Sequence, residues 1–301
     1  GIRDYKVTGV QTCALPISAT WVSYSSITDF QQCPRAYYLK NVYKNSDTGN
    51  KIQLAASALS LGQAVHEVVE ALSILPVEDR FKESLIKKFN KVWDKVSGKK
   101  GGFFDEATEK QYKERGEEML RRVMDNPGPV GELAIKLKDD LPNYWLSEED
   151  EIILCGKVDW LRYLPDTDSV RIVDFKTSKK REKADSLQLP IYSLLVTNTQ
   201  KRPVVGMSYW YLGLSDQPEE VKLPDTAEAH QQILKIAKEI KLARQLNRFR
   251  CPQGESGCMF CKPFEKIING EAEQVGTDTE YRRDIFVLPP AENLAEDSYI
   301  L

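Results

Sequence analysis

Histidine is almost missing from this sequence: there are two in 301 residues, His66 and His230. A single imidazole on a helix is, taken alone, a structural residue before it is a metal ligand. Long apolar runs are missing as well. None reaches the roughly 18 residues that would suggest a membrane-spanning helix, and mean hydropathy is −0.45. Positive charge is not in excess. The net charge is −3 with 29% charged residues, so the chain is not basic as a whole and any nucleic-acid contact must come from local patches. No G-x-x-x-x-G-K-[ST] loop occurs, which excludes a P-loop motor. There is no internal repeat. No stretch reads as a signal peptide, so the six cysteines suggest a reducing, cytoplasmic compartment and metal ligation rather than disulfides.

What is present centres on residues 156–178. Val170, Ile172, Asp174 and Lys176 are spaced two apart and share one face of a strand. Arg171, Val173 and Phe175 take the other face. Both faces are largely apolar, which predicts a central strand. Pro165, Asp166, Thr167 and Asp168 supply turn chemistry. A hairpin symmetric about Asp166 and Thr167 sets Asp159 directly opposite Asp174, with Cβ atoms about 5 Å apart. Two carboxylates that close repel unless a cation lies between them or one keeps its proton. Lys176 completes a cation-binding, phosphate-facing corner. Hard divalent ions, Mg²⁺ or Mn²⁺, suit such oxygens, and a lysine beside them can position water and stabilise a negative transition state. D-x-K alone would favour an ordinary salt bridge; the second aspartate tips the reading towards a site.

The surrounding chain reads as follows. Residues 1–18 resemble a translated sequencing-library adapter, which makes Cys13 spurious and the native N-terminus missing or replaced. Residues 19–264 form one domain. It opens with helix over 25–43, capped by Ser26 with Asp29 and broken at Cys33 before Pro34. A helical part spans about 51–126. Its first helix, 51–75, buries Leu61, Val65, Val68, Val69 and Leu72 and carries His66 and Glu70 four apart. Two more helices, 81–96 and 106–124, flank the glycine-rich loop 98–102. The breaker at 126–131 leads to a sheet core, about 131–213, with strands at 133–138, 150–164 and 203–212. After Lys176 come Lys179, Lys180, Arg181 and Lys183, either a solvated turn or phosphate contacts. A helix capped by Asp185 or Ser186 then runs to about 197 and puts Gln188 and Tyr192 on one face. A long helix over 225–248 delivers the chain to Cys251. No role is assigned to residues 265–301.

Cys33, Cys251, Cys258 and Cys261 make a second constellation, C-x6-C-x2-C at one end and a lone cysteine at the other. Four thiolates suit a tetrahedral zinc ion or an iron–sulfur cluster; the alternative is unrelated buried cysteines. If they converge, they staple the first helix to the last. Cys155 reads as a buried strand residue.

The order of these pieces, over about residues 22–264, resembles the RecB-like branch of the PD-(D/E)XK nucleases. Within it the match is to the iron–sulfur subgroup of CRISPR-associated exonucleases and AddB-type nuclease domains. The matching pieces are SSITDFQQCPRAYYL around Cys33, LGQAVH ending at His66, GKVD ending at Asp159, DFK at 174–176, QLPIY at 188–192, and the terminal cysteines. Val158 stands where the family pattern has proline. The resemblance implies an α/β, restriction-endonuclease-like mixed central sheet flanked by helices, with a helical insertion and a cluster joining the two ends. It implies Mg²⁺ or Mn²⁺ on His66, Asp159, Asp174 and the Phe175 carbonyl. Lys176 would act on the water, with Gln188 and Tyr192 lining the site and a 4Fe-4S cluster on the four cysteines. The implied activity is hydrolysis of DNA, exonucleolytic on single strands, with recombination, repair or CRISPR-adaptation proteins as partners and no membrane. The alternative is an idle DNA-end-binding module of a larger complex.

Overall fold

The computed structural model describes residues 19–289; the adapter-like leader and the end of the acidic tail lie outside the described residues. The chain runs β1 (Thr20–Val22), α1 (Tyr24–Gln32), α2 (Pro34–Tyr37) with a π turn (Tyr38–Val42), β2 (Lys51–Leu54), α3 (Ser57–Glu70), α4 (Leu85–Trp93) and α5 (Glu106–Asp125). It continues through β3 (Asn143–Ser147), β4 (Ile152–Cys155), β5 (Trp160–Leu164), β6 (Ser169–Lys176), α6 (Gln188–Thr199), β7 (Val204–Tyr211) and β8 (Glu219–Val221). It ends with α7 (Thr226–Gln245), α8 (Lys262–Ile268), β9 (Glu273–Asp278) and β10 (Arg283–Val287).

The expected single central sheet is divided. One sheet has the order β5-β6-β7-β8, a second β1-β4-β3 and a third β2-β10-β9. All three mix parallel and antiparallel pairs. The break between the first two falls at residues 156–159, where the chain leaves strand geometry after β4. β6 lies between β5 and parallel β7 and is buried on both faces. Val170 and Ile172 pack with α6 and α7, through residues such as Leu195 and Ile233. Val173 and Phe175 pack with Trp160, Trp210 and the helices α3 to α5. The period-2 alternation thus feeds two separate cores from one strand.

Arg80 ties the helical layer to the sheet. Its buried guanidinium donates to the carbonyls of Leu75 (3.2 Å), Val130 (2.7 Å) and Glu132 and lies 5.1 Å from the Trp160 ring. A buried cation is tolerable only with its donors satisfied in this way.

Three local expectations need correction. Lys51–Leu54 is strand, not helix, because it pairs in parallel with β10, more than two hundred residues on; the helix begins at Ser57. Residues 133–138 form no strand; Ala134 makes a lone bridge to Arg162. α1 is capped by Ser23, in a reciprocal box with Ser26, while Asp29 instead accepts from Lys40 (2.7 Å) and Asn41 (3.1 Å). α6 starts at Gln188, and Ser186 Oγ accepts that residue's backbone N–H at 3.4 Å, as expected of a cap there.

Beyond Phe264 the chain has a structural role that was not anticipated. β9 and β10 complete the third sheet, and Ile52 and Phe286 pack into the cysteine cluster. Asp284, fully buried, accepts from Asn45 (2.9 Å), Asn50 (2.9 Å), Thr277 (3.3 Å) and Thr48, which locks the 45–50 loop to β10.

Candidate active site and cysteine centre

The β5–β6 hairpin has the register Trp160↔Val173 through Leu164↔Ser169. Continuing it by one residue sets Asp159 across from Asp174. The turn is a 3₁₀ turn at Pro165–Thr167, followed by Asp168 in the left-handed region at φ 43°. Tyr163 (3.0 Å) and Arg202 (2.6 Å) hold the Asp168 carboxylate. Asp159 sits in the bend before β5, and its Oδ2 accepts the Phe175 backbone N–H at 2.9 Å. Phe175 thus enters the site through its N–H. Its ring belongs to the core, 6.2 Å from that of His66.

α3 brings His66 to the same point. Nδ1 lies 3.4 Å from Asp159 Oδ2 and 3.2 Å from Glu70 Oε1. Ligand atoms of His66, Glu70 and Asp159 all lie within 4.8 Å of one another. Glu70 is a site residue the sequence reading missed. The signal was there, since Glu70 follows His66 by one helical turn. Lys157 pairs with the outer Glu70 oxygen.

Asp174 is 1% exposed. Its Oδ1 accepts from Gln188 Nε2 at 2.8 Å. Its Oδ2 has Lys176 Nζ at 3.0 Å as an ion-pair neighbour, but no hydrogen-bond partner among the described residues. Gln188 clamps both: its Oε1 accepts from Lys176 and its Nε2 donates to Asp174 and to Tyr192 Oη (3.3 Å). That sets the amide orientation, since a flipped amide would point N–H groups at an ammonium. Glu182, also missed, faces Lys176 at 3.3 Å, and the Tyr209 ring lies 5.2 Å from the ammonium.

The electrostatics follow from this crowding. Burial and the neighbouring Asp159 charge push the Asp174 carboxyl up to about 7. Burial alone would raise Asp159 too, but the His66 charge outweighs it and holds that carboxyl low. Burial would lower His66, yet Asp159 and Glu70 keep it well above the usual imidazole range. Burial also opposes the Lys176 charge, but Asp174 and Glu182 hold its pKa above the ordinary lysine value. Burial keeps Tyr192 a neutral phenol.

A divalent cation fits this donor set. Octahedral bonds of about 2.1 Å put ligand atoms about 3 to 4 Å apart, close to the convergence of His66, Glu70 and Asp159. Asp174 is not in that convergent group; its Oδ2, ion-paired to Lys176 but without a hydrogen bond among the described residues, is a buried acceptor that a cation would also satisfy.

The predicted basic loop is split by the fold. Arg181 is engaged with Glu219 at 2.7 Å and lies 5.8 Å from the Tyr211 ring. Lys179 lines a groove with Arg115 and Arg122. Lys180 and Lys183 make no ion pair among the described residues and lie on exposed chain.

Cys33, Cys251, Cys258 and Cys261 are all buried, with their Sγ atoms within 4.8 Å of one another. Cys33 sits at the α1–α2 junction, and the other three surround the turns at Gly254 and Gly257, both at positive φ. Backbone N–H groups face the sulfurs: Cys258 N to Cys261 Sγ (3.1 Å), Ala36 N to Cys33 Sγ (3.4 Å) and Gln253 N to Cys251 Sγ (3.4 Å). Burial pushes Cys33 up to about 11. At Cys258 burial is outweighed by backbone N–H groups of Cys261 and Phe260, which bring the thiol down to about 7. Four buried thiols so close suit a metal centre, whose positive charge would make all four thiolates. Cys155 is apart in β4, its thiol 3.5 Å from the Val22 carbonyl.

A family model described as the PD-(D/E)XK nuclease superfamily matches residues 21–263. No curated protein matches the chain. The matched span takes in both clusters.

Proposed function

This chain belongs to the PD-(D/E)XK nuclease superfamily, and we propose that it is a Mg²⁺- or Mn²⁺-dependent deoxyribonuclease, exonucleolytic on single strands. The observation that carries the reading is the Gln188 clamp, which holds Asp174 and Lys176 in one arrangement beside the His66–Glu70–Asp159 group. Superfamily membership implies nuclease activity and divalent metal use; the strand preference and end-directed cleavage are our proposal.

His66, Asp159 and Asp174 would hold the ion, with the Phe175 carbonyl and Glu70 as further donors. The ion supplies Lewis acidity at the phosphate and a more acidic water. The protein's own groups do the rest. The Phe175 N–H fixes the Asp159 carboxylate. Gln188 keeps Lys176 aimed along the strand face that carries Asp174. With its pKa held high, Lys176 remains an ammonium while Asp174 and Glu182 face it. It therefore donates to water and to the developing phosphorane charge rather than taking a proton. Tyr192 supports the Gln188 amide from the buried side.

The four cysteines are proposed to hold a 4Fe-4S cluster that staples α1–α2 to the segment before α8. A single zinc ion is a second reading, favoured by one observation. Zn–S bonds of about 2.3 Å give a tetrahedral edge of about 3.8 Å, which is the Cys258–Cys261 separation of 3.8 Å. A cubane would part the thiolates further. Metal analysis of protein purified without oxygen separates the two: iron with sulfide and absorption near 400 nm, or zinc and no colour. Cytoplasmic action on DNA ends in recombination, repair or CRISPR adaptation is the proposed setting.

Digestion of 5′- and 3′-labelled single- and double-stranded oligonucleotides, with Mg²⁺, Mn²⁺ or chelator, tests the activity. Stepwise shortening of single strands only with metal is the expected result. Binding without any cleavage under all metals would replace the enzyme with an idle end-binding module.

A further inference from the structure

A groove of about 430 Å³ runs between α5 and the turn just past Lys176. One wall is a single face of α5: Gln111, Arg115, Glu118, Met119 and Arg122 recur at helical spacing and all line it. The opposite face of α5, with Gly116, Leu120 and Val123, is buried in the core. The other wall is residues 177–179, contiguous with the strand that carries Asp174 and Lys176. Leu212, Gly213 and Leu214, just past the end of β7, line its base, with Leu214 exposed and Leu212 buried.

We propose that this groove is the path of the substrate strand, an extended single-stranded nucleic acid whose phosphates lie on Arg115, Arg122 and Lys179. The proposal rests on the nuclease reading and extends it to the strand beyond the cleaved bond. The cations are available. Arg115 has no carboxylate within 4.0 Å among the described residues and lies over the Tyr112 ring at 5.1 Å. Lys179 likewise makes no ion pair among the described residues. Among the described residues Arg122 pairs with Asp216 alone, exposed and 3.4 Å away; surface pairs of this kind are worth little and exchange readily for phosphate. Glu118 is the one acidic side chain in the lining. Three cations along one groove suit a strand that lays successive phosphates on them.

The dimensions match neighbouring phosphates of one strand. Arg115 and Arg122 are seven residues apart, about 10 Å along the helix axis. That is the reach of neighbouring phosphates on one strand, and the blunt-duplex arm of the test separates a single strand from one strand of a duplex. The groove wall at Thr177 directly follows Lys176, the last residue of β6, which places the groove beside the strand end that carries the Asp159–Asp174 corner.

The test is an Arg115→Ala/Arg122→Ala double variant of the full chain, with Lys179→Ala as a separate probe of the opposite wall. Binding of a labelled oligothymidylate is read by anisotropy in Ca²⁺ over a salt series, and cleavage is read with Mn²⁺. The double variant is expected to raise Kd and KM for single strands about tenfold, with the larger effect on KM than on kcat. The slope of log K against log salt should be shallower by about 1.4, from about 0.7 per lost phosphate contact. Thermal melting controls for folding; if the double variant melts early, Lys179→Ala alone must show a slope shallower by about 0.7. An unchanged slope and KM in a wild type that cleaves would overturn the groove and leave the nuclease reading standing. A wild type that cleaves nothing, together with variants whose single-strand binding weakens as described, would overturn the nuclease reading and keep the groove. Equal weakening of blunt-duplex binding would overturn the single-strand path.

Discussion

The carboxylate–lysine corner and the cysteine centre are opposite solutions to burying polar chemistry. The first is built mostly from one short stretch, a hairpin and the helix after it, with His66 and Glu70 added from α3. Its groups are charged and crowded, and one buried oxygen of Asp174 has no hydrogen-bond partner among the described residues. The second is built from the two ends of the domain and holds four buried thiols with backbone N–H groups turned towards them. The first cluster sits on strands that pair through their backbones and carries repulsion as the condition of its chemistry. The second closes a loop of more than two hundred residues, so its centre should contribute to holding the fold.

The sharpest way to break this contrast is to delete each cluster in turn. Asp174→Ala and Lys176→Ala should each lower cleavage by about 10³-fold or more, near 4 kcal/mol of transition-state stabilisation. Melting in chelator should change by no more than a few degrees for Asp174→Ala, because relief of the Asp159 repulsion offsets loss of the Lys176 pair and the Gln188 hydrogen bond. Undiminished Mn²⁺-dependent cleavage in both purified variants would end the assignment. Cys261→Ser should behave the other way. It should cost several kcal/mol of stability and the bound metal, since binding energy at such centres is folding energy, while residual activity per folded molecule persists. Wild-type melting in Cys261→Ser with its metal content gone would show that the centre does not hold the fold.

The smallest effect is on pH. The Asp174 carboxyl is pushed up from 3.8 to about 7 in the folded protein. The folded state therefore binds this proton more tightly than the unfolded state. Its contribution to stability is complete below about 4 and is lost as pH rises to about 7. His66, held above its usual 6.5, acts in the same direction at higher pH. Asp159, held low, acts in the opposite direction but only below about 4. In chelator the protein should thus melt lower at pH 8 than at pH 5. Asp174→Asn should flatten the difference, and saturating Mn²⁺ should raise melting more at pH 8, because the ion competes with the proton. A pH-independent melting temperature in chelator would contradict the buried-carboxyl account.

The hairpin was readable because its information is local. A period-2 apolar pattern and a four-residue turn set the register within twenty residues, and with it the opposition of Asp159 and Asp174. Lys51–Leu54 was misread because its partner strand, Arg283–Val287, is remote in sequence and the apolar stripe of the following helix seemed to extend over it. Residues 133–138 have strand-like composition but no continuous neighbour to pair with. Glu182 and Arg181 look alike in sequence, as charges in one polar loop. Only packing turns the first to Lys176 and ties the second to Glu219.

By itself the sequence determined the residue types of both clusters, the alternation that buries β6 on two faces and the turn that pairs it with β5, all of which depend on neighbours within one or two elements. Tertiary structure alone decided that Glu70 joins His66 and Asp159, that Gln188 clamps Asp174 to Lys176, and that Asp284 locks a loop over two hundred residues away. Those contacts exist because separate elements pack to close range, and no spacing along the chain encodes how two distant segments meet.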